Sequence, residues 1–452
     1  MFFSRSMLTL ALSLSMVLIG INAQSGWLFW LAGLLLAAVL VSWSISLFEV
    51  RRLSPVRRHP PEIDEEEQLR IALEVRNGGH LSRNLIAVID EDPAADGPYK
   101  RPRLKPGRKT LREHLKDPSP PEKGSPASSG GRAAFLVPRI PAGGTVSLSY
   151  RRGKLRRGVY ENWPCFFYSE GIIGLARHSS RTHPASRLVV LPHYAELGTF
   201  PLVDSFLHPQ KTPREYSGKK GAGIDYYGVR EFRSGDPLRH VHWRTTARRG
   251  ELVVREFERE TGTPLVVLVD NRVRKSPRAD FSTLLDAEAR LAASIVHYAH
   301  YAGHPVTLVA FRGEVPEPYD VPGFRAALRW LAALQPSSGG GLEEQAEGLW
   351  PELAPGCFFC CITPARGLDT GRFAAALPQM CHTALVLVDP ISHNGNGPSG
   401  KSAFSPEQIV SSLAEAPFAG LFSVSLFHKG DDLRRCLEKP LIICGDLMPR
   451  GR

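Results

Sequence analysis

The sequence predicts three parts in succession: a membrane α-helical hairpin, an all-β sandwich, and an α/β domain on a mostly parallel sheet. Three observations predict this. Two long apolar runs without a charge, residues 7–23 and 27–48, open the chain. Short alternating segments between Gly- and Pro-rich turns follow over residues 62–195, as half-buried strands require. From about residue 264, continuous apolar runs alternate with amphipathic helical patterns, the signature of strands covered on both faces.

Composition sets the bounds. At 452 residues the chain has room for two or three domains, and 43% hydrophobic with 22% charged residues excludes wholesale disorder. A formal charge of +11 admits an anionic partner, whether lipid surface, nucleic acid or acidic protein, without choosing among them. The seven cysteines are an odd number in a long chain and do not form a disulfide scaffold. Cys357, Cys360 and Cys361 invite a metal reading, but they lie in an apolar run that reads as a buried strand, where alternate side chains point to opposite faces. They are expected to be buried, reduced thiols.

Residues 1–50 are expected to be two transmembrane helices. The second run is about the length needed to span a bilayer, with Trp27 and Trp30 near one end and Trp43 near the other, where interfacial aromatics sit. Arg51, Arg52, Arg57 and Arg58 follow it closely, Arg5 precedes the first run, and the connecting loop carries no charge. The positive-inside rule then puts both termini in the cytoplasm. A rival reading, a signal peptide cleaved near Ala23, would leave a single anchor. The retained basic cluster favours the hairpin.

Residues 51–61 read as a basic linker and 62–195 as the β-sandwich, with strands near 68–76, 84–90, 133–138, 145–150 and 188–191. A basic, proline-rich insertion over 93–132 with little apolar content interrupts it and reads as disordered. Arg151, Arg152, Arg156 and Arg157 form a second basic knot. Together with Arg51, Arg52, Arg57 and Arg58 they are candidates for contact with lipid headgroups. Residues 196–263 connect to the α/β domain, 264–452. There, strands are expected near 264–270, 305–311, 357–362, 383–389 and 421–427, and helices near 282–302, 324–334 and 406–414.

The connecting segment holds the most informative stretch, residues 228–260, with eight arginines, interleaved acids and Trp243. Gly228, Arg230, Glu231, Phe232, Gly235, Asp236, Arg239, Val241, His242, Trp243, Arg244, Thr246, Ala247, Arg248, Leu252, Val254, Arg255 and Glu256 stand at the positions of a specific pattern. By that pattern the chain resembles the bacterial family called domain of unknown function 58. The resemblance implies that the α/β domain is von Willebrand factor A-like, a Rossmann-like fold. It also implies partners: a MoxR-type AAA+ ATPase, and a membrane protein with a transglutaminase-like domain. It implies no reaction. A-type domains often hold Mg²⁺ through oxygen ligands on three loops. Asp270 occupies the first such position, but Arg272 and Arg274 stand at the next two, Gly341 replaces the second-loop Thr and Pro364 the third-loop Asp. The expectation is therefore no metal and no cofactor.

No G-x-S-x-G elbow, P-loop or H-E-x-x-H occurs, and Ser234, Asp236 and His242 make no recognisable catalytic set, so no catalytic residue is assigned. Two readings remain for Arg230, Glu231, Arg233, Asp236, Arg239, His242, Trp243, Arg244, Arg248, Arg255 and Glu256. In one they form an internal ion-pair network with Trp243 packed beneath it. In the other they form a docking face, since Arg and Trp are favoured interface anchors. Interleaved acids argue against nucleic acid. The expected function is a non-enzymatic, membrane-anchored adaptor that binds protein partners. The alternatives are an enzyme acting on envelope or phosphate-containing substrates and a membrane-surface nucleic-acid binder.

Overall fold

The computed structural model describes residues 3–91, 132–171, 173–204, 216–232, 241–260, 263–272, 281–313, 315–337, 356–364, 381–389 and 421–443. Nearly all of the basic insertion and the helix expected near 406–414 lie outside them. The chain divides into two compact units, Met1–Leu191 and Pro192–Arg452.

The first unit opens with helices α1 (Phe3–Ala23) and α2 (Gly26–Val50), both long and apolar enough to cross a membrane. They pack against each other, and Ser13 Oγ donates to the Ala32 carbonyl at 2.9 Å. Leu8, Leu14, Leu18, Trp30, Leu34 and Leu40 are turned outward. Exposed leucines of this number suit lipid rather than water.

Ten strands follow: β1 (Leu53–Arg58), β2 (Glu62–Asp64), β3 (Arg70–Asn77), β4 (Arg83–Glu91), β5 (Arg132–Ile140), β6 (Thr145–Arg151), β7 (Gly158–Glu161), β8 (Cys165–Ser169), β9 (His178–Thr182) and β10 (Arg187–Leu191). They form sheets ordered β1-β3-β6, β5-β4-β8-β9 and β2-β10-β7. The first two share one core, in which Leu53, Leu73, Val75, Ile86, Val88, Val137, Ile140, Cys165 and Phe167 meet Val50 from the end of α2. A second core joins Ile63, Leu69, Ile71, Tyr160, Trp163, Leu188 and Val190.

The expected linker at 51–61 is a strand instead. β1 pairs antiparallel with β3, from Leu53↔Asn77 to Arg58↔Ala72. Pro55 is tolerated because β1 is an edge strand and needs no hydrogen bond from that nitrogen. The arginines misled the reading because one of them points inward. Arg57 forms a two-pronged ion pair with Asp90, both side chains fully buried, and its guanidinium stacks 4.1 Å over Trp163. It also donates to Ser186 Oγ at 2.9 Å and to the Trp163 carbonyl at 3.2 Å. Tyr150 donates its hydroxyl to Asp90, and Arg152 donates to the Asp90 carbonyl at 3.0 Å. Burial, then the Asp90 charge, pushes the Tyr150 phenol far above its ordinary range.

Of the eight arginines expected at lipid headgroups, Arg57, Arg152 and Arg157 are therefore corrected: all three are buried. Arg51, Arg52, Arg58 and Arg151 are exposed and Arg156 is half-buried.

The end of α2 is built into this unit. Ser42 and Ser46 are fully buried and Glu49 nearly so. Ser42 Oγ accepts from the Ala176 amide at 3.1 Å, Ser46 Oγ lies 3.0 Å from His178 Nδ1, and Ser169 donates to Glu49. The Arg83 guanidinium stacks 3.7 Å over Phe48.

In the second unit, α3 (Pro201–Asp204), β11 (Tyr216–Glu231), α4 (Trp243–Arg249) and β12 (Val253–Glu260) precede the main sheet. β13 (Leu265–Val269), α5 (Phe281–Tyr301), β14 (Val306–Arg312), β15 (Val315–Asp320), α6 (Phe324–Ala333), β16 (Phe358–Pro364), β17 (His382–Val388), β18 (Leu421–Phe427), α7 (Leu433–Glu438) and β19 (Ile442–Ile443) complete it. The sheet order is β15-β14-β13-β16-β17-β18-β19, with β14, β13, β16, β17 and β18 parallel and antiparallel strands at both edges. The segment just before α3 is held to this unit. The Ala195 amide donates to Ser294 Oγ at 3.0 Å, and Leu197, Phe200, Leu202 and Val203 are buried.

The Asp90 network generates a stability prediction. Asp90→Asn should leave Arg57 buried and uncompensated, which costs about 3–5 kcal/mol. The double variant Asp90→Leu/Arg57→Met should recover part of that loss. Thermal unfolding of the detergent-solubilised chain checks this; equal losses in the single and double variants would show that the pair is not coupled.

Candidate functional site

The order of the main sheet places a site. The chain leaves β13 for β14 on one side and later returns to β16 on the other, so the sheet switches direction between β13 and β16. Ligands of open α/β sheets bind at the carboxyl ends of the strands at such a point. Here the ends of β13 and β16 meet at a small cleft of about 10 Å³, lined by Asp270, Asn271, Arg272, Leu284, Leu285, Glu288, Pro336 and Pro364.

Every charged group in the wall is buried. Arg272 Nε donates to Asp270 Oδ1 at 2.7 Å, with both side chains essentially inaccessible. Thr363 Oγ1 donates to the other oxygen, Oδ2, at 2.8 Å. The Arg272 guanidinium lies 4.5 Å from the Phe311 ring centre, so its second face rests on an aromatic. Asn271 makes a cross-tie. Its Nδ2 donates to the carbonyls of Phe311 at 2.9 Å and Gln335 at 2.8 Å, and its Oδ1 accepts from the Phe311 amide at 2.8 Å. The Ser337 amide closes the loop onto the Asn271 carbonyl at 2.8 Å.

This geometry bears on metal binding. A hard divalent cation needs several oxygen ligands. Both oxygens of Asp270 are already engaged, one by a guanidinium that carries the positive charge a metal would bring. The third-loop hydroxyl that reaches Asp270 comes from Thr363, one residue before Pro364. Arg274 and Gly341 lie outside the described residues. Among the described residues, no three His, Cys, Asp or Glu side chains converge as a metal site.

The thiols of β16 are equally closed. Burial pushes Cys360 up to about 12 and Cys361 well above its ordinary range, so neither is a ready thiolate. Cys357 instead meets Cys381 of the neighbouring strand end, sulfur to sulfur at 2.8 Å.

The arginine-rich segment is an antiparallel ribbon followed by a short helix. β11 and β12 pair through Gly228↔Glu256, Val229↔Arg255, Arg230↔Val254 and Glu231↔Val253, which sets the backbones of Arg230, Glu231, Arg255 and Glu256 side by side. Arg233, Asp236 and Arg239 lie outside the described residues. His242 caps α4, its Nδ1 accepting from the Thr245 amide at 3.2 Å. Gly250, at φ 74°, ends the helix in the left-handed conformation that glycine adopts without strain. Val241, Val253 and Val254 are buried and hold the helix from below, through a Val241↔Val254 bridge and the His242 amide to the Val253 carbonyl at 2.8 Å.

The helix itself has no buried residue. Trp243, placed beneath the network in the internal reading and at the surface in the docking reading, is 63% exposed, and Arg244, Arg248 and Arg249 face outward with it. The spacing explains the exposure. With Val241 bridged inward and the cap at His242, the first helical residue turns to solvent. The sequence singled out this segment but not the closed cleft. Of the cleft's charged residues, Asp270 and Arg272 were candidates and Glu288 was missed, because its helical spacing gave no sign that an acid would be buried.

Asp270→Asn should remove the counter-charge of Arg272 and lower stability by about 3–5 kcal/mol. Added Mg²⁺ should neither protect the parent chain nor rescue the variant. A stoichiometric Mg²⁺ or Mn²⁺ site seen by calorimetry in the parent chain and lost in Asp270→Ala would contradict the self-neutralised geometry.

Comparison with known proteins adds one informative match. Residues 228–351 match the family described as Protein of unknown function DUF58. No curated protein matches. Among solved structures, the β-glucosidase from Listeria innocua in complex with glucose shares 10% identity over 31% of this chain and 16% of its own, with a TM-score of 0.15. The β-glucosidase EmGH1 from Erythrobacter marinus shares 11% over 30% and 15%, at 0.14. The GH20 exo β-N-acetylglucosaminidase from Vibrio harveyi shares 8% over 72% and 59%, at 0.20. The chain spans about a sixth of the length of these β-glucosidases, and superpositions this slight carry no argument about fold or activity. The end of β11, α4, β12 and the α/β domain as far as α6 fall within the matched residues, so over residues 228–351 the chain is similar to the DUF58 family, a family of unknown function.

Proposed function

We propose that this chain is a membrane-anchored, non-enzymatic adaptor whose signature helix α4 docks a protein partner on the cytoplasmic side. The observation that carries the reading is the exposure of Trp243 beside Arg244, Arg248 and Arg249 on a helix that buries nothing. A large aromatic and arginines left in solvent within the family's own signature have the composition of an interface hot spot. They are held on a rigid base of buried valines, so little ordering is needed on binding. The cleft supports the same reading. Asp270 is bonded to Thr363 and Arg272, so both of its oxygens are engaged rather than open to a substrate. The chain works without a metal or cofactor, and its α/β domain is of the von Willebrand factor A type. The partner we propose is a MoxR-type AAA+ ATPase, with a transglutaminase-like membrane protein as a second component.

The two apolar helices act as the anchor, crossing the inner membrane as a hairpin with both ends inside. Arg57 is buried in the folded unit, yet it still counts for orientation, because the positive-inside rule acts on the chain as it inserts. Arg51, Arg52, Arg58 and Arg151 remain exposed and suit anionic headgroups.

Two measurements test the reading. Trp243→Ala should leave the melting temperature nearly unchanged, since the ring is exposed, and weaken capture of the ATPase by roughly 30-fold, a hot-spot loss of about 2 kcal/mol. Unchanged capture in Trp243→Ala and Arg244→Ala would remove α4 from the interface. A reporter fused after residue 60 should be active only as a cytoplasmic reporter; periplasmic activity would overturn the topology.

A further inference from the structure

The junction between α2 and the β unit fixes how much of the hairpin is left for the bilayer. Residues 42–50 of α2 are taken up by the sheets, where Ser42, Ser46 and Glu49 are buried and hydrogen-bonded. The part of α2 above them, residues 26–41, is about 24 Å long at ~1.5 Å per residue. The apolar part of α1, residues 7–23, is about 25 Å by the same measure. A bilayer's hydrocarbon core is about 30 Å thick. Both helices therefore fall short by about one helical turn.

At the level of Ser6 and Ser42 the chain between β8 and β9, described at Gly171 and from Ile173 onward, is bonded to both helices. Ser6 of α1 donates its hydroxyl to the Leu175 carbonyl, and the Ala176 amide donates to Ser42 Oγ of α2 at 3.1 Å. Gly171, at φ 61°, approaches so closely that a Cβ there would sit 3.4 Å from the Ser42 carbonyl oxygen and 3.5 Å from Ile45. The sequence over 171–175 contains no charge and no hydrogen-bonding side chain. Ile173 is 48% exposed and Trp43, in the same stretch of α2, is 50% exposed. The charges that bracket the turn pair with each other, Arg177 with Glu170.

We propose that the connection between β8 and β9, through Gly171, Ile173, Gly174 and Leu175, is a membrane-contact element. It seats in the headgroup–hydrocarbon boundary of the cytoplasmic leaflet with Ile173 in the acyl region, and so completes the apolar height that the hairpin lacks. The partner is the lipid surface itself, reached because the turn is bonded to both helices. The proposal rests on the reading of the hairpin as membrane-spanning. It gives the β unit a fixed seat on the bilayer instead of a tether, and leaves Arg51 and Arg52, exposed at the end of α2, to meet the headgroups.

The full-length chain in nanodiscs of phosphatidylcholine and phosphatidylglycerol tests this. A nitrobenzoxadiazole label is attached at Ile173→Cys, at Leu34→Cys in the hairpin, or at Gln68→Cys at the far end of the β unit, with background labelling measured on the parent chain. Quenching by lipids bearing a shallow acyl spin label should be strong at positions 34 and 173, at least several-fold above position 68. In short-chain lipids, whose core matches the free helix length of about 24 Å, quenching at 173 should fall towards that at 68 while quenching at 34 persists. Quenching at 34 with position 173 no different from 68 in the thicker bilayer would overturn the proposal and leave the hairpin intact. The bilayer would then thin around the protein instead. Absence of quenching at 34 would overturn the spanning hairpin, and the seated turn with it.

Discussion

The first unit depends on one buried carboxylate. Asp90 receives the Arg57 guanidinium and the Tyr150 hydroxyl, while its own carbonyl receives Arg152. These groups come from β1, β4, β6 and the segment after β6, and Arg57 reaches on to Ser186 before β10. All three sheets are thus tied to a single side chain. Such a cluster is not a cheap source of stability, because taking charges out of water costs nearly as much as pairing them returns. Its effect is on specificity. A one-residue slip of β1 against β3 would turn Arg57 outward and bring Val56 or Arg58 to face Asp90, so the network enforces the register observed.

The same logic of internal satisfaction marks the second unit. At the switch point, where an open sheet ordinarily offers ligands a place, Asp270 has been given its own cation in Arg272 and its own hydroxyl in Thr363. Asn271 and Ser337 then latch the surrounding loops together. On the signature helix, by contrast, Trp243, Arg244, Arg248 and Arg249 are exposed to solvent. One part of the second unit is sealed and another is displayed.

Much of this architecture is legible in the sequence, and the rest is hidden for specific reasons. β13, β14, β16, β17 and β18 announce themselves as predominantly apolar runs, and α5 by the spacing of Leu284, Leu285, Ala289, Ala292 and Ile295. The edge strands β15 (Val315–Asp320) and β1 do not, because each contains proline and charge that an interior strand would exclude. Arginine was the most misleading residue. Charge alone sent Arg57, Arg152 and Arg157 to the surface, whereas the acids that bury them, Asp90 among them, stand dozens of residues away. Trp243 was left between two readings, buried or displayed, because only the three-dimensional placement of Val241, Val253 and Val254 reveals which side of α4 is covered. In the cleft, Asp270 and Arg272 could be named from position, but their mutual pairing is a contact across a turn that spacing does not specify.

The way α2 ends also sets an order of assembly. Glu49 waits for Ser169, which lies 120 residues further along the chain, and Ser42 waits for Ala176, 134 residues on. When the second helix leaves the ribosome, none of the groups that will cover its last turns has yet been made. Until the strands close over it, Ser42, Ser46 and Glu49 must be served by water, and, with α2 acting as the anchor proposed above, the strands close over an end that is already fixed. Closing loops of this length costs only slightly more than closing short ones, so the delay is tolerable in free energy. A fragment begun after residue 50, however, would fold around an empty seat, with Ser169, Ala176 and His178 deprived of the helix they were shaped to hold.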